Sequence, residues 1–138
     1  MKGHEFFEHT ADIGLKISGR DLPELFTHAA EAFLDLVTDP DKIGGTHTVE
    51  FQLKAEDAGE LLLKWLRELL YFFSAKGMLF ASFDFKILNE HELQAAARGE
   101  VFSPPRHESR HEVKAVTYHG FHLRKNSSGF TAEVIVDI

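Results

Sequence analysis

The close spacing of β-prone segments in the second half of the chain is the feature that most constrains its fold. Four such segments follow the last helical pattern, and the connections between them are too short to hold crossover helices. Parallel neighbours need a crossover of a dozen or more residues, whereas antiparallel strands need only a turn. The spacing therefore predicts antiparallel pairing and argues against a doubly wound parallel sheet.

Strands are located by the alternation of apolar with polar or small side chains. Ser103–Pro105 indicates a loop, and Asn126–Gly129 indicates a turn between the last two strands. The segment 83–87 is expected to pair with 93–101. The full set of predicted strands is 13–17, 49–53, 83–87, 93–101, 113–118 with a continuation at 121–123, and 130–138.

Two amphipathic helices are predicted, each with a capping box at its start. Asp21 caps the first helix, with Glu24 three residues on, and Asp57 caps the second, with Glu60 three residues on. Gly77 ends the second helix. Apolar residues at three- and four-residue spacing form the predicted buried faces, namely Leu22, Phe26, Ala29, Phe33 and Leu36 in the first helix and Leu62, Trp65, Leu66, Leu69 and Phe73 in the second.

These elements predict an α+β fold in a single two-layer domain over residues 1–138. The two amphipathic helices are expected to pack on a largely antiparallel sheet of six to seven strands. The longest apolar-rich stretch, residues 61–73, contains Lys64, Arg67 and Glu68, so no membrane span is expected. No signal peptide is visible, and a cytoplasmic location is expected.

The composition of the chain excludes several kinds of functional site. Cysteine is absent, which excludes disulfides, thiol nucleophiles and Cys-ligated zinc or iron–sulfur clusters. The formal net charge is −7. Because affinity for phosphates depends on clustered Lys and Arg, this charge argues against an autonomous nucleic-acid binder.

One segment formally matches the zinc-hydrolase pattern H-E-x-x-H. It comprises His107, Glu108 and His111 with two residues between. The pattern chelates zinc only on a helix, because residues four apart on a strand lie about 13 Å from each other at about 3.3 Å per residue. Pro104–Pro105 precede the segment and a β-prone run follows it, so a solvated loop that enters a strand is predicted instead.

His119 and His122 flank Gly120, where a bulge would turn both rings the same way. The alternative to a metal pair is one exposed ring and one ring packed against the sheet.

Two carboxylates stand out by position. Asp12 lies where the first strand begins, and Asp137 is the penultimate residue of the last strand, followed by Ile138. If these strands were neighbours, Asp12, Asp137 and the carboxylate of Ile138 would converge. Such hard oxygen ligands suit Ca²⁺, Mg²⁺ or Mn²⁺. Exposed carboxylates at strand ends, with no ligand, are the alternative.

Three segments together resemble the archease family. Glu8–Gly14 resembles the family's opening signature, Lys114–His119 resembles its second signature, and Val136–Ile138 resembles its ending. The second helix, with Trp65–Leu66 and Glu68–Leu70, is also similar to the family's central helix. The resemblance covers essentially the whole chain.

The resemblance implies an accessory protein rather than an enzyme. Archeases activate the GTP-dependent tRNA-splicing RNA ligase by promoting its guanylylation and multiple turnover, and RNA is then contacted indirectly through the ligase. The family's divalent-metal site, with calcium as the expected ion, falls on Asp12, Asp137 and Ile138, where Ile138 offers only a main-chain or terminal oxygen. His9 and Lys114 are implied as partner contacts, with a solvated strand lysine as the alternative for Lys114.

Two other functions stay open at this stage. A general RNA or protein chaperone-like domain that modulates tRNA processing or methylation predicts RNA affinity without a metal or a ligase. A zinc hydrolase predicts a helix at residues 107–111.

Overall fold

The computed structural model describes residues 3–9 and 12–138, with residues 7–9 described by their backbone alone. Within these residues, two helices and seven strands follow one another, with one short 3-10 turn at Pro40–Lys42. Their bounds are β1 (His4–His9), β2 (Asp12–Gly19), α1 (Leu22–Val37), β3 (His47–Lys54), α2 (Ala58–Lys76), β4 (Met78–Leu88), β5 (Glu92–Val101), β6 (Ala115–Asn126) and β7 (Gly129–Asp137).

The predicted α+β class and antiparallel pairing are confirmed, and the strands divide between two sheets. The larger sheet has the order β1-β2-β7-β6, and the smaller has the order β3-β5-β4. Every pair of neighbours is antiparallel. The division adds a layer to the predicted arrangement, because α1 packs on β2 and β4 while α2 packs on β6 and on the smaller sheet. Both helices therefore lie between the sheets, and one core includes residues from all of these layers.

Strand β1 was not predicted. Its apolar residues, Phe6 and Phe7, are adjacent rather than alternating, so the segment lacks the period of two that marks a half-buried strand. It forms the edge of the larger sheet through its pairing with β2, from His4 opposite Ile17 to His9 opposite Asp12. The pairing with the next strand along the chain thus defines a strand that the alternation of side chains does not mark.

The predicted helix caps are confirmed. The Asp21 side chain accepts a hydrogen bond from the Glu24 N–H, and Asp57 accepts one from the Glu60 N–H at 2.8 Å. Gly77 ends α2 in the left-handed conformation, with φ at +66°. In the first capping box, the Glu24 carboxylate accepts a hydrogen bond from the N–H of Arg20, the residue before the cap, instead of from the N–H of Asp21.

Trp65 joins the layers. Its indole is fully buried, and the indole N–H donates to the carbonyl oxygen of Phe26 in α1 at 3.0 Å. Three rings of the smaller sheet, Phe51, Phe83 and Phe85, meet it edge-on with centroids 5.2, 5.5 and 5.6 Å away. One side chain of α2 thus contacts both the other helix and the smaller sheet.

None of the helices in the described ranges is both long and apolar enough to span a membrane.

We expect Trp65→Phe to lower the free energy of unfolding by about 3 kcal/mol, because it removes the buried hydrogen bond from the indole to the Phe26 carbonyl and opens a cavity. Urea unfolding measures this loss. Tyr71→Phe, at a half-exposed position on the same helix, is the matched control and should change stability by less than about 0.5 kcal/mol. Equal effects of the two substitutions would contradict the role given to Trp65.

Candidate functional site

The pairing of β2 with β7 brings the two predicted carboxylates together. Asp12 lies directly opposite Asp137, and Ala115 of β6 pairs with Asp137 on the other side. The first and last predicted strands are therefore neighbours, which is the condition that the sequence left open. We call Asp12 and Asp137 the carboxylate pair.

The electrostatics of the carboxylate pair reflect this closeness. The pKa of Asp137 is raised, first by a hydrogen bond with the Asp12 carboxyl, then by partial burial and by the negative charge of Asp12. The positive charge of Lys114 acts in the opposite direction on that pKa. Two carboxylates in contact favour either a shared proton or a bound cation between them.

The donor set fits a divalent cation with hard oxygen ligands. Both Asp residues are half-buried, so their oxygens are shielded but still reachable. Among the described residues no group of three or more His, Cys, Asp and Glu has metal-binding geometry, so a cation on this pair needs further oxygen ligands. Ile138 follows Asp137 directly, and its side chain packs against the core. Because that side chain is aliphatic, Ile138 offers only a main-chain or terminal oxygen as a ligand. Metal binding by Asp12, Asp137 and Ile138 stays a prediction.

The two predicted contact residues lie beside the carboxylate pair. The backbone N–H of Lys114 donates to the carbonyl oxygen of Asp137 at 2.8 Å, and its side chain is exposed. His9 pairs through its backbone with Asp12, while its side chain lies outside the described part. One row across the sheet thus runs from His9 through Asp12 and Asp137 to Ala115.

The H-E-x-x-H segment is a loop, as predicted. The N–H groups of Arg110 and His111 donate to the carbonyls of Val37 and Leu36 at the end of α1, so they are not available for a helix of their own. The Thr38 hydroxyl adds a 2.7 Å hydrogen bond to the carbonyl of Glu108. The helix that a zinc hydrolase requires is therefore missing from residues 107–111, all of which the structure describes.

The prediction that this loop is solvated is wrong at His107. The His107 side chain is buried, and its Nδ1 accepts a hydrogen bond from the Ser103 N–H at 2.8 Å. Its Nε2 lies 2.8 Å from the Glu100 carboxylate, which also accepts from the Gly44 N–H at 2.6 Å. Both ring nitrogens are occupied, so His107 fastens the loop to β5 and is not a free metal ligand.

The pair His119 and His122 follows the non-metal interpretation. His119 is exposed, whereas Nε2 of His122 lies 2.5 Å from the Glu133 carboxylate on β7. A bulge does lie between them, as Gly120 suggested, with φ at +67°. The sequence analysis did not predict that this bulge exposes Tyr118, which is 71% exposed. The sequence does hold a sign of this exposure, because Tyr118 lies two positions before Gly120 within a β-prone run.

Comparisons with known proteins cover the whole chain or nearly all of it. The profile of the Archease protein family (MTH1598/TM1083) matches residues 4–138. The chain is 40% identical to the protein archease of Sulfolobus acidocaldarius, with 100% of both chains covered. It is 38% identical to that of Methanosarcina mazei, covering 99% of this chain and 97% of that protein.

Two solved structures are similar in fold. The solution structure of Methanobacterium thermoautotrophicum protein 1598 has a TM-score of 0.86 at 37% identity, with 100% of both chains covered. The crystal structure from Thermotoga maritima, described as an archease and possible chaperone, has a TM-score of 0.68 at 23% identity over 96% of this chain and 94% of that one. The second likeness concerns the fold alone.

The Glu100 carboxyl predicts a pH dependence of stability. The hydrogen bond from Gly44, followed by that with His107, holds the pKa of Glu100 below its ordinary value. A lowered folded-state pKa contributes stability that is complete above the unfolded-state pKa and is lost as the pH falls through the folded-state pKa. We therefore expect Glu100→Gln to be less stable than the wild type at about pH 6 and to approach it as the pH falls through the lowered folded-state pKa of Glu100.

Chemical denaturation across this pH range measures the difference. Glu56→Gln is the control, because Glu56 is exposed and has no hydrogen bond or ion pair in the described part of the chain. A gap between Glu100→Gln and the wild type that stays constant with pH would refute the assignment.

Proposed function

The chain belongs to the archease family, and from this we propose that it is an accessory protein that activates the GTP-dependent tRNA-splicing RNA ligase. It promotes guanylylation and multiple turnover of the ligase and does not itself catalyse the reaction. The observation that carries the proposal is the contact between Asp12 and Asp137 in neighbouring strands. RNA reaches this protein only through the ligase.

The carboxylate pair is proposed to hold a divalent cation, calcium first, with magnesium and manganese as alternatives. Asp12 and Asp137 supply carboxylate oxygens, and Ile138 supplies a main-chain or terminal oxygen. A bound divalent cation would supply positive charge that neutralises negative charge during nucleotidyl transfer in the ligase active site. The half-buried position of the pair suits this role, because partial loss of water strengthens the attraction between carboxylates and a cation.

Lys114, beside the carboxylate pair, is proposed to assist cation binding and to contact the ligase. Its charge opposes the rise in the pKa of Asp137 and so favours the ionised, cation-binding form of that carboxyl. Since the side chain is exposed, its ammonium group is also able to reach a phosphate or an acidic group of the ligase.

Charge supports docking on an RNA-binding partner. A protein with a net charge of −7 is repelled by RNA phosphates but attracted to the Lys- and Arg-rich surface of a protein that binds them. Such complementarity increases the rate of encounter and sets the orientation of the two partners.

The chaperone-like alternative has less support from the described surface. A chaperone that holds unfolded chains needs a contiguous apolar patch. The large apolar side chains that are exposed among the described residues lie on five different elements, and they are Phe6, Tyr71, Ile87, Val101 and Tyr118.

Cation binding is testable without the ligase. We expect calcium, added to a hundredfold excess over its Kd, to stabilise the wild type by about 2.7 kcal/mol and so to raise its Tm. Asp12→Asn should show no such rise, and without cation it should be at least as stable as the wild type, because the repulsion within the pair is gone. Asp84→Asn, at an exposed position on the smaller sheet, should respond like the wild type.

Wild-type protein that gains no stability from calcium, magnesium or manganese would overturn the metal assignment.

The ligase assay tests the function itself. We expect Asp12→Asn and Asp137→Asn to bind the cognate ligase but to lose most of the stimulation of its guanylylation over repeated turnovers, by about tenfold or more, because both carboxylates are needed at one site. Asp84→Asn again serves as the control. Full stimulation by both folded variants would contradict the proposed role of the carboxylate pair.

A further inference from the structure

Strand β6 carries a bulge on the open edge of the larger sheet. Thr117 pairs with Ile135 and His122 pairs with Glu133, so residues 118–121 all lie opposite the single residue Val134. Gly120, with φ at +67°, allows the backbone to make this excursion. Bulges re-aim side chains, and they are common at sheet edges and beside functional sites.

The bulge presents an aromatic pair. Tyr118 is 71% exposed, the most exposed of the described large hydrophobic side chains, and its ring centroid lies 6.0 Å from that of Phe121. Phe121 sits against the first turn of α2, where a Cβ atom on Gly59 would lie 3.1 Å from its ring. Phe121 thus packs against α2, whereas the Tyr118 ring is exposed to solvent and leaves apolar surface uncovered.

The aromatic pair borders a cleft of about 490 Å³. Asp57 and Glu90 add carboxylates to its lining, and Phe130 adds a third ring. The Asp57 Oδ1 atom caps α2, whereas Glu90 is exposed in the turn between β4 and β5 and has no ion pair within the described residues. Lys125 also lines the cleft, and its ammonium lies 5.8 Å from the centroid of Phe130, so one aromatic face here already holds a cation.

We propose that this cleft is the docking site for an arginine-bearing segment of the ligase, with Tyr118 as its anchor. The inference rests on the proposed function and names the surface that the partner uses. A guanidinium stacks on aromatic faces and pairs with carboxylates, which are the two kinds of group that Tyr118 and Glu90 offer. Single-stranded RNA would also stack on Tyr118, but Asp57 and Glu90 would repel its phosphates.

The position of the cleft suits this role. Tyr118 is three residues from Ala115, the β6 partner of Asp137, which is about 10 Å at about 3.3 Å per residue. A segment held at Tyr118 therefore brings the ligase beside the carboxylate pair. Exposed tyrosines are frequent hot spots of protein interfaces, because they bury a large rigid surface at low cost in entropy. Tyr118 would set affinity, whereas Asp12 and Asp137 would set the stimulation.

The two tyrosines of the chain form a matched test. We expect Tyr118→Ala to raise the Kd for the cognate ligase, measured by calorimetry, by about tenfold or more. Maximal guanylylation at saturating protein should stay unchanged. Tyr71→Ala, at the other exposed tyrosine, should bind like the wild type, and Tyr118→Phe should bind within about threefold of it, since the ring is kept.

The charge of the cleft provides a second variant with an independent readout. Glu90→Lys should also raise the Kd by about tenfold and should weaken its dependence on salt. Circular dichroism confirms the fold of each variant, and Glu90→Lys carries the test if Tyr118→Ala does not fold.

Each contrary outcome has its own meaning. If the wild type stimulates the ligase but Tyr118→Ala and Glu90→Lys bind it as tightly, the docking site is wrong and the proposed function stands. If the wild type neither binds nor stimulates the ligase, both are wrong. If the free protein binds a single-stranded RNA oligonucleotide by fluorescence anisotropy, and only this binding depends on Tyr118, the cleft is an RNA site and the inference is overturned.

Discussion

The antiparallel pairing of β2 with β7 is the constraint on which the rest of the structure depends. It joins the two ends of the chain along all eight residues of β2 and forms the centre of the larger sheet. Leu15 pairs with Val134 and Ile17 with Ala132, and these four side chains are almost fully buried under the helices. A pairing between distant residues costs loop-closure entropy, and the burial of this apolar row offsets that cost. The carboxylate pair lies at the end of the same ladder, so the fold itself holds two like charges together.

Local elements were predictable because their causes are local. The caps of both helices involve residues three positions apart, and the alternation that marks β7 is complete within one segment. The division of the strands between two sheets was not predictable, since it depends on which distant strands pair. Strand β1 escaped prediction for a different reason, because its two adjacent phenylalanines have no strand period and the pairing with the neighbouring strand β2 defines it.

The candidate site was predictable as a set of residues but not as a geometry. Sequence position marked Asp12 and Asp137, yet only the register places them opposite each other. His107 illustrates the reverse, because its motif suggested zinc, whereas its side chain is bound to Glu100 at the end of β5 and to Ser103 in the loop that follows. A motif fixes spacing along the chain, whereas hydrogen bonds with the end of α1 decided that this segment is a loop.

A net charge of −7 is compatible with a role in RNA metabolism once the charges are located. An acidic protein that bound RNA directly would have to overcome repulsion at every phosphate, whereas one that binds the RNA-binding protein gains from the same charge. The edge strand β6 carries exposed aromatic surface at its bulge and starts beside the carboxylate pair, so the proposed docking and the proposed stimulation would use different parts of one strand. Because the bulge interrupts the ladder of β6, it also discourages a further strand from pairing there, so side chains rather than backbone would provide the specificity.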